Sequence, residues 1–259
     1  MEIIGNVGYA LLLTALAGLS TGIGSTISYF IKIPKMIYLS FSLGLSAGVM
    51  IYVSFVELLP NSLEQVGESF GVIVFFLGIF FIGFIDMAIP EKENPHSYSN
   101  LSENPDITTN KALMRTGLFT ALAIGIHNFP EGLATFGTAL ADPRLGIVIA
   151  IAISIHNIPE GISVSIPILY ATNSKNKAFL YSFLSGLAEP IGAFIGFLFL
   201  LPFLSGTVLA SLLAFVAGIM VYISIDELLP MAHQYGHSHT VIIGVVLGMI
   251  IMAFSILIL

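Results

Sequence analysis

A six-residue pattern containing His, Asn and Glu occurs twice in this chain. It reads HNFPEG at 127–132 and HNIPEG at 156–161. Each copy lies inside an apolar segment that is long enough to cross a lipid bilayer. Ionisable side chains are costly in hydrocarbon, so those found there usually belong to a functional site. The repeated pattern therefore indicates a buried polar site.

Within each copy, the His and the Glu are four residues apart and lie on one face of a helix. The Asn after each His comes three residues before the same Glu, so each Glu can serve both neighbours. The Pro interrupts the hydrogen bonds of the helix, and the Gly lets another backbone approach closely. The candidate side chains are His127, Asn128 and Glu131 in the first copy and His156, Asn157 and Glu160 in the second.

The two copies lie near the centres of neighbouring spans that cross the membrane in opposite directions. We therefore expect His127 to be level with Glu160, and Glu131 with His156. Imidazole nitrogens bind Zn, Cu, Fe and Ni, and carboxylates bind harder ions. Two carboxylates also balance the charge of one dication, which a low-dielectric site favours. The pattern predicts a site for a divalent transition metal.

A third acidic residue, Glu189, lies mid-span in SGLAEPIG at 185–192. With both asparagines and the shared glutamates of the pattern, it can frame a second metal position beside the first. The alternative is that these polar side chains only form hydrogen bonds between helices. A single His-Glu pair would favour that alternative, whereas two identical copies and a third acid favour metal binding.

The composition is that of an integral membrane protein. The chain has 259 residues, of which 56% are hydrophobic and 9% charged, whereas about 25% are charged in soluble domains. There is no cysteine, which excludes disulfides and thiolate metal sites. The N-terminal segment MEIIGNVGYALLL has no basic region and is interpreted as a first spanning helix, not a cleaved signal.

Eight segments are apolar over about the 20 residues that a spanning helix needs, which predicts an all-α integral membrane protein. Their continuous apolar character excludes the alternating strands of a barrel. The only long polar connection, 90–112, is expected to be a flexible cytoplasmic loop, so we expect one transmembrane domain over 1–259. The predicted spans are 6–30, 37–60, 70–89, 113–140, 145–170, 178–202, 206–231 and 240–258.

An internal repeat extends beyond the doubled pattern. The second span reads LSAGVMIYVSFVELLP at 45–60, and the seventh reads FVAGIMVYISIDELLP at 215–230. Similar sequences that cross in opposite directions indicate an inverted repeat, which in transporters places the substrate site near the midplane. The helices then divide as three, two and three.

The basic residues predict the orientation. Seven of the eight fall in connections or at span ends on one side, which we assign to the cytoplasm, and Arg144 alone falls on the other side. Both termini are then predicted to lie outside. The seven residues are Lys32, Lys35, Lys92, Lys111, Arg115, Lys175 and Lys177.

The doubled HNxPEG pattern, the eight spans and the Glu-Pro pair of the sixth span resemble the ZIP (Zrt-, Irt-like protein) family of divalent metal transporters. The short connection between the fourth and fifth spans, and the His in both copies, resemble its bacterial ZupT-type members. The resemblance covers essentially the whole chain. It implies a protein of the cell membrane, the inner membrane in bacteria, that takes up Zn²⁺, and often Fe²⁺, Mn²⁺, Co²⁺ or Cd²⁺, toward the cytoplasm.

The resemblance also implies a binuclear centre and a homodimer. Family members are thought to move helices 1, 4, 5 and 6 against helices 2, 3, 7 and 8. The 90–112 loop departs from relatives that are His-rich there, because His96 is its only histidine. The implied ligands are His127, Glu131, His156 and Glu160 for one metal, and Asn128, Glu131, Asn157, Glu160 and Glu189 for the other.

Several residues near the ends of the spans can be interpreted in two ways. Carboxylates there either attract and pass on cations or are merely solvated or paired with a basic residue. The His-rich tract HQYGHSH, at 233–239, either binds metal on the exit side or is an ordinary flexible loop. The carboxylates are Glu57, Asp86, Asp226 and Glu227, and the histidines are His233, His237 and His239.

Three classes of function remain, of which a secondary transporter of divalent metals is the leading one. No Walker A sequence is present, so ATP is not the expected driving force, and proton coupling is left open. A membrane-embedded metal-dependent hydrolase would typically carry HExxH, which the chain lacks. A receptor would bind metal without moving it. We expect no enzymatic activity, no catalytic cofactor and no nucleic-acid partner.

Overall fold

The computed structural model is helical almost throughout the residues that it describes, and it shows no strand in them. The part of the predicted loop from 90 to 109 lies outside those residues, whereas helix already begins at Asn110. Lys32, Lys35, Lys92, His96 and His237 also lie outside them. The described residues are 2–30, 36–88, 110–141, 143–200, 205–235 and 238–258.

Eleven α-helices and three π-helical segments make up this part of the chain. The π-helical segment Ser54–Leu58 joins α2 to α3, Ser224–Leu228 joins α9 to α10, and Gly196–Leu200 follows α8. The α-helices are α1 (Glu2–Phe30), α2 (Met36–Val53), α3 (Leu59–Val66), α4 (Glu68–Ala88), α5 (Asn110–Ala141), α6 (Pro143–Thr172), α7 (Lys175–Gly186), α8 (Ala188–Ile195), α9 (Gly206–Ile223), α10 (Leu229–Tyr235) and α11 (Ser238–Ile258).

Seven stretches are long and apolar enough to cross a membrane, which confirms the prediction of an all-α integral membrane protein. The predicted fourth span corresponds to α5, an unbroken helix of 32 residues. Several of its side chains lie outside the described part of the chain, so the count of eight stays a prediction. The seven stretches are Val7–Ile27, Ser40–Val66, Glu68–Met87, Pro143–Thr172, Lys175–Phe199, Gly206–Gln234 and Ser238–Leu257.

The second and seventh spans do not end where the sequence predicted. Each widens into a π-helical turn and then continues, through α3 in one case and α10 in the other. Pro60 and Pro230 follow these turns. Proline lacks an N–H and clashes with the carbonyl one turn earlier, and a local π-helical turn relieves both problems. Equivalent turns at equivalent positions agree with the inverted repeat.

The helices pack in two sets. In one set, α1 lies along α6, and α5 packs against both α6 and α8. In the other set, α2 lies along α11 and α4 along α9. The sets meet where α2 contacts α6 and where α5 contacts α9.

Apolar side chains fill the interior of the helix bundle and also form much of its outer surface. Fully buried residues such as Leu43, Met50 and Ile219 form the core between the helices. Large side chains such as Phe84 on α4 and Phe254 on α11 are exposed instead. An apolar outer surface of this extent fits a helix bundle surrounded by lipid, which accounts for the weak amphipathic pattern of these helices.

Candidate metal site

Both copies of the HNxPEG pattern lie inside long helices. The first copy is in α5 around Pro130, and the second is in α6 around Pro159. The structure describes the backbone of His127 but not its side chain. The other six predicted site residues are fully buried: Asn128, Glu131, His156, Asn157, Glu160 and Glu189.

A direct contact joins the two copies. His156 Nε2 lies 3.2 Å from Glu131 Oε2, with both side chains out of solvent. This places Glu131 beside His156, at the level expected for opposed helices. The corresponding pairing of His127 with Glu160 stays a prediction. On its own, the described pair is half of the arrangement that the sequence suggested.

Glu189 reaches the same region from α8. The side-chain amide of Asn157 donates hydrogen bonds to Glu189 Oε1 and to the carbonyl oxygen of Ala17, the latter at 3.0 Å. The carboxylates of Glu131 and Glu160 both repel that of Glu189 electrostatically. Three acids from three helix segments therefore share one buried region, where their mutual repulsion must be relieved by a bound cation or by protonation.

A side chain from the other helix set also reaches this region. Ser46, on α2, donates from Oγ to Glu160 Oε1 at 3.4 Å. The hydrogen bond is long and therefore weak. It nevertheless brings α2 to the edge of the site.

The glycine of each copy is the point at which another helix crosses. A Cβ atom at Gly132 would lie 2.0 Å from the carbonyl oxygen of Glu189. A Cβ atom at Gly161 would lie 2.1 Å from the carbonyl oxygen of Thr21. These distances leave no room for a side chain, so glycine is what lets α8 and α1 approach the two copies.

The two asparagines make equivalent contacts. Asn128 Nδ2 donates to the carbonyl oxygen of Ser185 at 3.4 Å, as Asn157 Nδ2 does to that of Ala17. Ala17 is on α1 and Ser185 is on α7. The surroundings of the two copies are therefore related by the inverted repeat, down to single hydrogen bonds.

Four oxygen atoms in the site have no hydrogen-bond partner among the described residues. They are Oδ1 of Asn128, Oε1 of Glu131, Oδ1 of Asn157 and Oε2 of Glu189. A buried acceptor without a partner costs about 1–3 kcal/mol. Four of them in one region are explained if a cation accepts their lone pairs, which is the chemistry of an oxygen-rich metal site.

The described His, Asp and Glu side chains do not form a metal site by themselves. Among these described side chains, no three are grouped closely enough to hold an ion. The side chain of His127 is not one of them. The predicted centre therefore requires His127, or the two asparagine oxygens, as well as the carboxylates.

Comparison with known proteins shows to which family the chain belongs. The family described as ZIP Zinc transporter matches residues 89–256. The zinc transporter ZupT of Chlorobium phaeovibrioides is 56% identical over 259 residues, covering 96% of this chain and 97% of the relative. The chain belongs to the ZIP zinc transporter family. The ZupT proteins of Streptococcus mutans and Clostridium perfringens are 54% and 52% identical, over 96% and 97% of this chain and 96% of each relative.

Membership of the ZIP family answers one question that the sequence left open. The protein is a multi-pass membrane transporter and not an enzyme, so the hydrolase alternative is set aside. A metal ion is its transported substrate and not a catalytic cofactor.

Ser46 is a residue near this ZIP site that the sequence reasoning missed. The repeated frames 45–60 and 215–230 contain a signal for it, because Ser46 aligns with Val216. A polar residue at one copy only, in an otherwise apolar stretch, marks a position where the two halves differ.

The remaining candidates lie away from the centre. Asn61 Nδ2 donates to Glu57 Oε1 at 3.0 Å within the first π-helical region. Tyr222 donates from its hydroxyl to Asp86 Oδ2 at 3.3 Å. Asp226 and Glu227 lie in the equivalent π-helical turn, where Glu227 is buried.

The two described histidines of the His-rich tract lie in helices and not in a loop. His233 lies in α10, where its Nδ1 donates to the carbonyl oxygen of Leu229 at 2.7 Å. His239 lies in the first turn of α11. Both side chains are exposed. The helices continue almost to each other because the π-helical turn carries the chain past Pro230.

Proposed function

We propose that the protein takes up zinc and related divalent cations through a binuclear centre near the middle of the membrane. The observation that carries this proposal is the group of four buried oxygens, beside the His156–Glu131 contact, for which the described part of the chain offers no hydrogen-bond partner. The relatives named above are zinc transporters, which supports zinc as the principal substrate. The proposed ligands are His127, Asn128, Glu131, His156, Asn157, Glu160 and Glu189.

The ligands divide between two metal positions. One position lies among the two histidines with Glu131 and Glu160, and the other lies among the two asparagines with the same glutamates and Glu189. A bare dication cannot enter hydrocarbon, so protein ligands must replace its water. Shared carboxylates and neutral amide oxygens give the site an intermediate affinity. The ion binds strongly enough to lose its water and weakly enough to be released.

We propose that access alternates by movement of one helix set against the other. All seven ligands come from α5, α6 and α8, which pack together with α1 and α7. The other set contributes Ser46 at the edge of the site. If the first set slides past α2 and α9, the complete ligand group moves with its ions, and the opening changes sides.

The proposed orientation places both termini outside. Tyr29, at the end of α1, donates from its hydroxyl to Asn176 Oδ1 at 2.7 Å, so the start of α7 lies beside the end of α1. That position is consistent with one basic side, which includes Lys175 and Lys177.

A reporter fused after Leu259 should be active outside, and a cytoplasmic reporter would contradict the orientation. A single domain and a homodimer stay predictions.

The test is zinc flux into sealed vesicles that contain the purified protein and a zinc-sensitive dye. Wild-type protein should transport Zn²⁺, whereas Glu131→Gln and Glu160→Gln should lose most of the flux. Glu64→Gln is the matched control, because Glu64 is an exposed carboxylate in α3. Zinc binding without flux in wild-type protein would favour a receptor. Full flux in both site variants would refute the proposed centre.

A further inference from the structure

Part of α1 is a copy of the segment that carries Glu189. Residues 16–24 read LAGLSTGIG, and residues 184–192 read LSGLAEPIG. The two segments belong to opposite halves of the inverted repeat. In this alignment, Thr21 occupies the position of Glu189.

The contacts show that the two positions are equivalent. The carbonyl oxygens of Thr21 and Glu189 are the atoms against which Gly161 and Gly132 pack. The side chains also leave their helices in equivalent places. A Cβ atom at Gly186 would lie 2.7 Å from Thr21 Cβ, and one at Gly18 would lie 3.3 Å from Glu189 Cβ.

The partners of the two side chains are equivalent asparagines. Glu189 accepts a hydrogen bond from Asn157, and in the repeated HNxPEG pattern Asn128 is the residue equivalent to Asn157. Thr21 Oγ1 and Asn128 Oδ1 are both buried, and neither has a hydrogen-bond partner among the residues that the structure describes. The threonine hydroxyl is two bonds shorter in reach than a glutamate carboxylate.

Most buried helical hydroxyls in the described chain are paired, and Thr21 is one of the few exceptions. Others donate to the carbonyl one turn earlier, as Thr14 does to Ala10 at 2.9 Å. For Thr21 that carbonyl belongs to Ala17 and already accepts from Asn157 and from Ser20. A valine would fill the same volume without an unpaired polar atom, so the hydroxyl requires a partner that the described side chains do not supply.

We propose that Thr21 is a further contact for the transported ion, opposite Glu189. Its Oγ1 accepts a hydrogen bond from water that the divalent cation still carries, on the side of the proposed ligand Asn128. A water bound to a dication is a strong donor, and a neutral hydroxyl oxygen can accept from it. The inference rests on the proposed function, because it concerns the same ion at the same centre.

The exchange of a carboxylate for a hydroxyl gives the centre two unlike sides. Glu189 offers an anionic ligand, whereas Thr21 offers a neutral one. In the proposed orientation, α1 runs inward and Thr21 lies one turn to the cytoplasmic side of Ala17. When the ion moves toward Thr21, it exchanges the anionic ligand Glu189 for neutral contacts, which are water and the threonine hydroxyl. The ion is held more weakly on that side, and this favours its release to the cytoplasm.

The test compares zinc affinity and zinc uptake in four variants of the full chain. Thr21→Val should weaken zinc binding in detergent about three- to tenfold, with no loss of melting temperature in zinc-free buffer. Thr21→Ser keeps the hydroxyl and should bind zinc within about twofold of wild type. Thr21→Glu restores the symmetry and should tighten binding about tenfold or more, with slower turnover. Thr14→Val is the control, because its hydroxyl is equally buried but already paired.

The outcomes separate this inference from the function on which it rests. Wild-type zinc affinity and uptake in Thr21→Val, with zinc binding abolished in Glu131→Gln, would refute the role of Thr21 and leave the centre intact. Absence of zinc binding in wild-type protein would instead refute the centre. If Thr21→Val does not purify, Thr21→Ala compared with Thr21→Ser asks the same question, and equal affinities would overturn the inference.

Discussion

Replacement of Gly132 by alanine should separate α8 from α5 at the position of Glu189. The added Cβ would lie 2.0 Å from the carbonyl oxygen of Glu189 and 2.7 Å from its Cα. Nonbonded carbon and oxygen atoms keep at least about 3.3 Å apart, so α8 must retreat by about 1.3 Å. The clash is with backbone, which cannot rotate away as a flexible side chain would.

The displacement acts on the site more than on the fold. Overpacking of this kind costs about 1–3 kcal/mol, which a protein of this size can tolerate. Metal ligands, by contrast, must hold their distances within about 0.2 Å. A shift of about 1 Å in the backbone of Glu189 exceeds that tolerance several times. We therefore expect Gly132→Ala to fold but to bind zinc at least about tenfold more weakly.

The assay is zinc affinity of the purified protein, with vesicle uptake and thermal melting measured in parallel. Gly125→Ala is the matched control, because it makes the same substitution in α5 where a Cβ would meet no atom within 4 Å. It should bind and transport zinc as wild type does, with equal or slightly higher stability. Wild-type zinc affinity in Gly132→Ala would refute the argument that close helix contact positions Glu189.

Three further substitutions test the packing around the site. Gly161→Ala places a Cβ 2.1 Å from the carbonyl oxygen of Thr21, so zinc uptake and melting temperature should both fall. Ser182→Ala removes a 3.0 Å hydrogen bond to the carbonyl oxygen of Gly161. It should lower the free energy of unfolding by about 1 kcal/mol in denaturation experiments, without loss of zinc affinity. Ser46→Ala removes the 3.4 Å contact with Glu160 and should change the uptake rate less than about threefold. A larger loss would place Ser46 among the zinc ligands.

The membrane class and the approximate spans could be predicted from the sequence because a continuous apolar run of about 20 residues matches the thickness of a bilayer. The continuation of the second and seventh spans past Pro60 and Met231 could not be predicted. Proline removes a helix hydrogen bond, so Pro60 and Pro230 favour an end of the span in the sequence. The π-helical turns Ser54–Leu58 and Ser224–Leu228 absorb that defect, and residue periodicity carries no signal for such a turn.

Sequence spacing predicted the members of the candidate site but not their neighbours. The placement of Glu131 beside His156 follows from two opposed helices with the same pattern at their centres. The hydrogen bonds from the asparagines to Ala17 and Ser185 could not be predicted, because they end on backbone carbonyls of distant helices. Backbone acceptors carry no residue-type signal, so only the fold shows them.

The HNxPEG pattern specifies a helix crossing as well as a set of proposed ligands. Its asparagine donates to the crossing helix, and its glycine allows that helix to reach contact distance. In α5 the crossing helix brings Glu189, and in α6 it brings Thr21. The same local geometry therefore presents a carboxylate on one side of the centre and a hydroxyl on the other. An inverted repeat with identical partners would present the same groups on both sides, so under our proposal the exchange of glutamate for threonine is what makes the two sides of the centre unlike.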